Sequence, residues 1–579
     1  MTALEAKYYH ALEVNVDVST RFSTRQRLGT ASTETQVVYT NATNQIVESA
    51  RSLNASSPLL QLPTELLLQI VHSYIALGRN RTQKQLSARY YSWLGITHVC
   101  HRLRVVALAD PTLWTRISVI HPEFLREVLA RSQGMPLTYE LGHMSQGEST
   151  LSAVNMMLGS LDRVESLKYL YSSNHYGKFP EFTSHAPKLR SLEVRNAEQV
   201  HPRTATVKAP LFFKDCELPI LEKLDVALLP FASVQAMFRP SLKFLSISTS
   251  TVPGISSILI NALKDMPLLE TLDLHQVLPE SNFVTTPEVS SQLPMVSLPR
   301  LRSLRITRCG AVECAEFLSH LSFPPTTTLN LELRPCGRRP WVNSVIPNLA
   351  AKFKERQPIE TVCIHSPWNT DVQVTAWSRT MSMDEIESRE APTPDLLIKM
   401  YGHNNGTVDC DETLVSLTCD LPLASVKTLV VGELRDYLKR NSSWIAVFTP
   451  MVQIETMGLV ASTGEFVASV FHPPRDQKPS FVGSGEVMPK LKTLSLRKVA
   501  FKVDYEEDVI YPYDYIHALR SCLTSRSEKC VKLETLRIRE AINLGEDDVE
   551  VFKNVATNVD WDHIMKTESV RRKLTDEKL

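Results

Sequence analysis

From residue 164 onward the apolar positions return in one phrase: a leucine, two residues, a second leucine, one polar residue and a third apolar residue. Six copies open on proline, at Pro187 (Pro-Lys-Leu-Arg-Ser-Leu-Glu-Val), Pro219, Pro240, Pro267, Pro299 and Pro489. With 34 prolines and 72 leucines in 579 residues, chance supplies about half an occurrence of P-x-L-x-x-L, so six mark a repeat. Looser copies sit at Val164, Ile359, Val426, Ile454 and Leu533, with a worn one around Leu329-Asn-Leu331. Successive units lie 21 to 42 residues apart, except for one gap of 67 between Ile359 and Val426.

The last two apolar positions of each phrase alternate with one residue, as a short strand with a single buried face requires. Between phrases, residues 254–264 and 311–321 space their apolar side chains three and four apart and predict helices. Strand, turn and helix recurring as one unit predict an α/β fold, an irregular leucine-rich-repeat solenoid over about 119–540 whose parallel strands bury their leucines by stacking. The ninth position of the phrase, where regular repeats of this kind carry asparagine, reads Ala197, Leu229, Ser250, Val277 and Cys309. Residues 365–422 are expected to hold a degenerate unit or a long loop.

Ahead of the repeats, Leu66, Ile70 and Tyr74 fall at i, i+4 and i+8, and Leu67, Val71 and Ile75 make the adjacent row, so 62–75 predicts a helix with a broad apolar face. Pro63 suits its first turn and Glu65 its N-terminal dipole. A second helix is predicted from Trp93 to Leu108, carrying Val99, Leu103, Val106 and Ala107 and stopped by Pro111, with Trp114 as a large anchor. So few short helices cannot bury all these apolar positions among themselves, and a partner is expected to cover the remainder.

Composition narrows the function. There are 63 Lys+Arg against 63 Asp+Glu, which argues against a nucleic-acid binder needing a basic surplus. No stretch approaches the length of a membrane span, and the first residues lack a secretory pattern, so a cytoplasmic or nuclear protein is expected. Ten cysteines without a C-x-x-C pair read as reduced thiols rather than a disulfide framework or zinc site. The 16 histidines show no H-E-x-x-H spacing, and Gly483-Ser-Gly485 lacks the third glycine of a dinucleotide loop. Neither a cofactor nor catalysis is expected; an enzyme would have to hide in the 365–422 irregularity. Residues 1–57 read as a flexible or partly helical extension, and 541–579 as a capping helix and tail.

Leu62-Pro-Thr-Glu-Leu66, Ile70, His98-Val-Cys-His-Arg-Leu-Arg104, Ala107 and Pro111-Thr-Leu-Trp114 together resemble an F-box over about 58–118, and the chain resembles the leucine-rich F-box proteins of mushroom-forming fungi. The resemblance implies a substrate-recognition subunit that docks on a Skp-type adaptor, and through it on a cullin–RING ubiquitin ligase, while the repeats hold a client protein. It puts Leu62, Pro63, Leu66, Ile70, Val99, Cys100, Leu103 and Trp114 at the adaptor contact. Two features depart from the family: Leu103 stands where an aromatic residue is common, and the connection 76–92 is long. A client would meet the residue between the last two apolar positions of each strand, on the open face of the sheet: Glu193, Asp225, Ser246, Asp273, Arg305, Asn330, Ser495 and Arg537. The rival reading is a scaffold or ligand-binding protein in which the F-box-like helices cap the solenoid; it requires their apolar rows to be buried.

Overall fold

A computed structural model describes residues 44–566, with interruptions of which the longest lie within 80–90, 172–184, 197–212, 279–292, 335–346, 402–413, 433–440, 462–487 and 504–512. The expected extension 1–57 falls largely outside the described residues, as does the end of the tail. The chain divides into two compact units, residues 1–242 and 243–579.

The first unit begins with helices. A short helix, Pro58–Gln61, precedes α1 (Thr64–Arg79), whose first turn is held by the Pro63 carbonyl accepting from the Leu66 and Leu67 amides at 3.1 Å each. The predicted second helix is broken in two. A 3-10 segment runs over Ser92–His98, and α2 spans His101–Ala109. Cys100 lies between them in extended conformation, its sulfur accepting from the Leu103 amide as an N-cap. The rest of the unit is built on a parallel sheet of β1 (Arg116–Ile117), β2 (Leu137–Leu141), β3 (Val164–Tyr171), β4 (Ser191–Asn196) and β5 (Lys223–Ala227), paired in chain order, with α3 (Pro122–Arg131) between β1 and β2 and further helices at Glu148–Leu158 and Phe231–Gln235.

Among the described residues the second unit holds, beside three short two-stranded pairs, a twelve-stranded run of the large sheet. Three follow in chain order, β6 (Phe244–Ser248), β7 (Thr271–His275) and β8 (Ser303–Gly310), with β9 (Thr328–Arg334) parallel beside β8. The helices predicted between phrases are present as α4 (Ile255–Leu263) and α5 (Ala311–Ser319). Then β10 (Thr361–His365), β11 (Asp371–Trp377) and β12 (Leu396–Tyr401) enter in reverse spatial order: β12 pairs with β9, β11 lies antiparallel between β12 and β10, and β10 pairs onward with β13 (Thr428–Gly432). The ladder continues in parallel through β14 (Thr456–Val460), β15 (Thr493–Arg497), β16 (Leu533–Arg539) and β17 (Ala556–Trp561).

All six proline-led phrases run into strands, and so do the looser copies. Two expectations need correction. The sheet is parallel except for β11, because the 67-residue gap holds an extra hairpin instead of an ordinary unit or a bare loop. The tail is not one capping helix: Glu546–Glu550 is helical, and the chain then forms β17 against β16. Its Ala-Thr-Asn-Val-Asp-Trp carries no leucine phrase to announce a strand.

One hydrogen-bond device recurs at many of the steps. The carbonyl of the residue after the first leucine accepts two amides from the next phrase: Lys243 from Glu270 and Thr271, Glu270 from Arg302 and Ser303, Lys427 from Glu455 and Thr456. It aligns the leucines in register, and Leu269, Leu272, Leu274, Leu304 and Ile306 are all buried. A second device explains the missing asparagine. Leu228, Gln276, Arg308, Lys498 and Glu540, each two residues past the last strand leucine or its equivalent, adopt φ between 48° and 59°. That left-handed kink turns the following side chain inward, so Leu229, Val277, Cys309, Val499 and Ala541 are buried where a ladder asparagine would stand. Ala197 and Ser250 lie outside the described residues. A non-glycine residue in this conformation costs about 1 kcal/mol, which a buried leucine or valine offsets.

Gln276 tests the kink. Gln276→Val, β-branched at positive φ, is expected to lower unfolding stability by roughly 1–2 kcal/mol, whereas Gln276→Gly stays within about 1 kcal/mol of the parent. Denaturant titration of the two variants beside the parent reads the difference.

Candidate functional site

The helical module closes a small core of its own. Leu60, Leu67, Leu103 and Val106 pack together, with Leu62, Leu68, Ile96 and Cys100 partly buried against them. Polar ties fix the helices: the Arg102 guanidinium donates to the Leu62 carbonyl at 2.8 Å, and His72 Nε2 lies 3.1 Å from Asp110 Oδ2 at the other end of the pair. Asp110 also caps the next turn by accepting from the Thr112 amide. Trp114 is fully buried, edge-on to Trp93 at 5.2 Å and beneath the Arg131 guanidinium at 5.0 Å. Its indole N–H has no hydrogen-bond partner among the described residues.

The expected adaptor residues therefore divide. Leu66, Ile70 and Val99 are 42, 37 and 66% exposed, and Pro63 is exposed too, while Leu62 and Cys100 are half-buried. Leu103 and Trp114 are corrections: both are interior, so they shape the module from within and do not meet a partner directly. The sequence reading missed Leu59 and Val105, which are exposed as well and carry no phrase of their own. Tyr74 continues the Leu66–Ile70 row at the surface. An apolar row thus lies bare next to a filled core.

The second surface is the open face of the sheets. In the first unit Glu140, Lys168, Glu193 and Asp225 stand in register. Lys168 reaches Glu193 at 3.3 Å, and Arg195 bridges Glu193 and Asp225 at 2.8 Å each, so the face is an ion-pair ladder. In the second unit the row runs Ser246, Asp273, Arg305, Asn330, Leu397, Thr375, Cys363, Val430, Gly458, Ser495, Arg537 and Asp560. Six of the expected client residues are in it. Asp273, Asn330 and Arg537 are partly exposed and Arg305 is exposed, whereas Ser246 at 9% and Ser495 at 4% are buried. Those two are corrections, since a hydroxymethyl group is overtopped by longer neighbours such as Asp273 and Arg537.

Next to this row, His275 Nδ1 meets Thr307 Oγ1 at 2.7 Å and the Tyr401 hydroxyl donates to Glu332 at 2.9 Å. Burial, reinforced by Arg308, lowers the His275 pKa and favours its neutral form. The Asn330 amide oxygen is buried without a partner among the described residues. Burial pushes the Cys363 thiol up to about 12, which keeps it protonated and a poor nucleophile at neutral pH. At the far end, Arg537 and Arg539 hold Asp560, while Arg497 and Lys566 hold Glu540 at 2.8 and 2.7 Å. No cluster of three or more His, Cys, Asp or Glu suited to a metal ion occurs among the described residues, and no described helix is long and apolar enough to cross a membrane.

No family model matches this chain, and no curated protein matches it in sequence.

Hydrogen bonds from Lys566 and Arg497 hold the Glu540 carboxyl near pH 2, below its ordinary value. A depressed carboxyl stabilises the fold above its unfolded pKa and loses that contribution as pH falls through the folded one. The melting temperature of the parent should therefore exceed that of Glu540→Gln at neutral pH, and the gap should close between about pH 4.5 and pH 2. A pH series of thermal melts on the pair checks it.

Proposed function

We propose that this protein is the client-recognition subunit of a Skp–cullin–F-box type ubiquitin ligase: residues 58–118 act as the F-box, and the leucine-phrase strands present a client. The observation that carries the reading is the bare row Leu66, Ile70 and Tyr74, with Val99 exposed as well, beside a core that is already filled by Leu60, Leu67, Leu103 and Val106. A helical cap for the repeats would bury that row, so its exposure weighs against the scaffold reading. Solvent-exposed apolar side chains in such a row favour cover by a partner. At roughly 25 cal/mol per Å² of apolar surface removed from water, each leucine or isoleucine contributes about 1–2 kcal/mol to docking.

The chain's own part in ubiquitin transfer is proximity. A client held on the sheet and a ubiquitin-loaded enzyme held through the adaptor share one scaffold, which raises their effective concentration. The client face suits a protein surface better than a phosphate or lipid, because its charges of both signs are interspersed: Glu193 and Asp225 with Lys168 and Arg195, Asp273 with Arg305. Such a subunit works in the cytoplasm or nucleus and needs no cofactor or nucleic acid.

Co-purification with a fungal Skp adaptor tests the proposal. The wild-type chain is expected to form a stable complex that Leu66→Asp, Ile70→Asp loses by at least tenfold in affinity, with the melting temperature of the free protein retained because both side chains are exposed. Leu67→Asp, at a fully buried position, is expected instead to unfold the module. A folded, monodisperse wild type that captures no adaptor sinks the ligase reading.

A further inference from the structure

The open face of the second unit is crossed by a piece of the chain itself. Between β11 and β12 the chain leaves the sheet at Ser378, forms the one-turn helix α6 (Met383–Glu387) and returns at Asp395. Its neck is closed where the strands end: the Ser378 amide and hydroxyl donate to Asp395 Oδ2 at 2.7 and 2.8 Å, and Trp377 Nε1 donates to the Pro392 carbonyl at 3.0 Å. Its tip lies on the face. Met381 and Met383 are buried, and a Cβ added to Gly458 would collide with Met383 Sδ and Cε. Gly458 sits in the middle position of β14, in register with Val430 and Ser495, so Met383 rests on the face that elsewhere carries Asp273, Arg305 and Arg537.

The row changes character where the tip lies. Cys363, Val430, Gly458 and Ser495 are small or apolar, and charged residues resume at Arg537. The tip is fastened to β10 and its approach by few bonds: the Met381 amide donates to Thr361 Oγ1, which donates to the Arg379 carbonyl, and Thr380 donates to Glu360. Because the neck is tied independently, the tip can lift without unpairing β11 from β12.

We propose that residues 378–388 form the removable arm of a strap that occludes the centre of the client face, latched by Met383 seated on Gly458. The device rests on the reading of this face as the client surface, and its exposed acids Asp384 and Glu385 stay in solvent whether it is open or shut. Opening uncovers an apolar floor flanked by the charged ends of the row, and an incoming chain competes with Met383 for that floor.

Two substitutions in the full chain separate the latch from mere packing. Met383→Ser removes the latching side chain and leaves the floor empty; Gly458→Ala places a methyl where Met383 Sδ sits and fills the floor. Both are expected to raise cleavage by a Glu-specific protease within 379–391 by about tenfold or more, with the cooperative melting transition retained. A labelled synthetic peptide of residues 379–391 is expected to bind Met383→Ser at least tenfold more tightly than either the parent or Gly458→Ala. Unchanged cleavage overturns the proposal, as does a lost melting transition, which would make the strap part of the core, or equal peptide binding by all three proteins. None of these readouts involves the adaptor, so a chain that fails to capture an adaptor and a strap that fails to open are separate results.

Discussion

No strand of this protein can bury its own leucines. A five-residue strand with two buried positions has about 3–4 kcal/mol of apolar burial to gain, and the backbone order of its own residues costs more than that. The gain is realised only when a neighbour with the same phrase lies alongside in register. The doubly accepting carbonyls of Lys243, Glu270, Lys427, Glu455 and Lys492 enforce that register, and so each leucine meets its counterpart. Everything else is arranged around this constraint. Helices differ in length, connections vary, and past β5, β7, β15 and β16 a left-handed residue supplies a kink that sends one more apolar side chain inward.

The same arithmetic gives different results in the helical module. Two adjacent rows of α1 are apolar, and a helix buries about one such stripe against a small partner. The row Leu67–Val71 goes inward and the row Leu66–Ile70–Tyr74 is left outside. A single larger core would cover both; α2 is only nine residues long and offers Leu103, Val106 and Ala107 on one face. Breaking the chain at Cys100 shortens α2 further and brings Val99 to the surface, so the break itself adds to the exposed apolar area.

Much of the sheet was legible because its signal is redundant: proline, three apolar positions and a fixed spacing point to one strand, and the six best copies all deliver one. The places that escaped lack that redundancy. β17 has only Val559 and Trp561 in alternation, without the leucine phrase, to suggest a strand, and it pairs with β16 alongside. The antiparallel β11 reads as an alternating strand in isolation, yet nothing local tells the chain's direction in the sheet. The break at Cys100 was hidden because Trp93–Leu108 keeps helical spacing through a residue whose backbone is extended. In the candidate sites, exposure of Leu66 and Ile70 rather than Leu103 and Trp114 depends on which row α2 covers, and Ser246 and Ser495 face outward in pattern but are overtopped by longer neighbours.

Gly458 shows how tertiary context gives meaning to a residue that the repeat treats as noise. Its position in the phrase is the outward one, where a charged or polar residue costs nothing, and glycine in a strand interior weakens pairing. The weakness is accepted because Met383 occupies the space where a side chain would be. The same contact accounts for the antiparallel hairpin: reversing β11 brings the start of the strap back to the end of the sheet from which β10 rises, within reach of Thr361. A parallel unit in its place would finish at the opposite end, beside His365, and return by a helix on the buried side, leaving the open face uninterrupted. Insertion, reversed strand, glycine and buried methionine are thus one structural feature, which covers the centre of the row and not its charged ends.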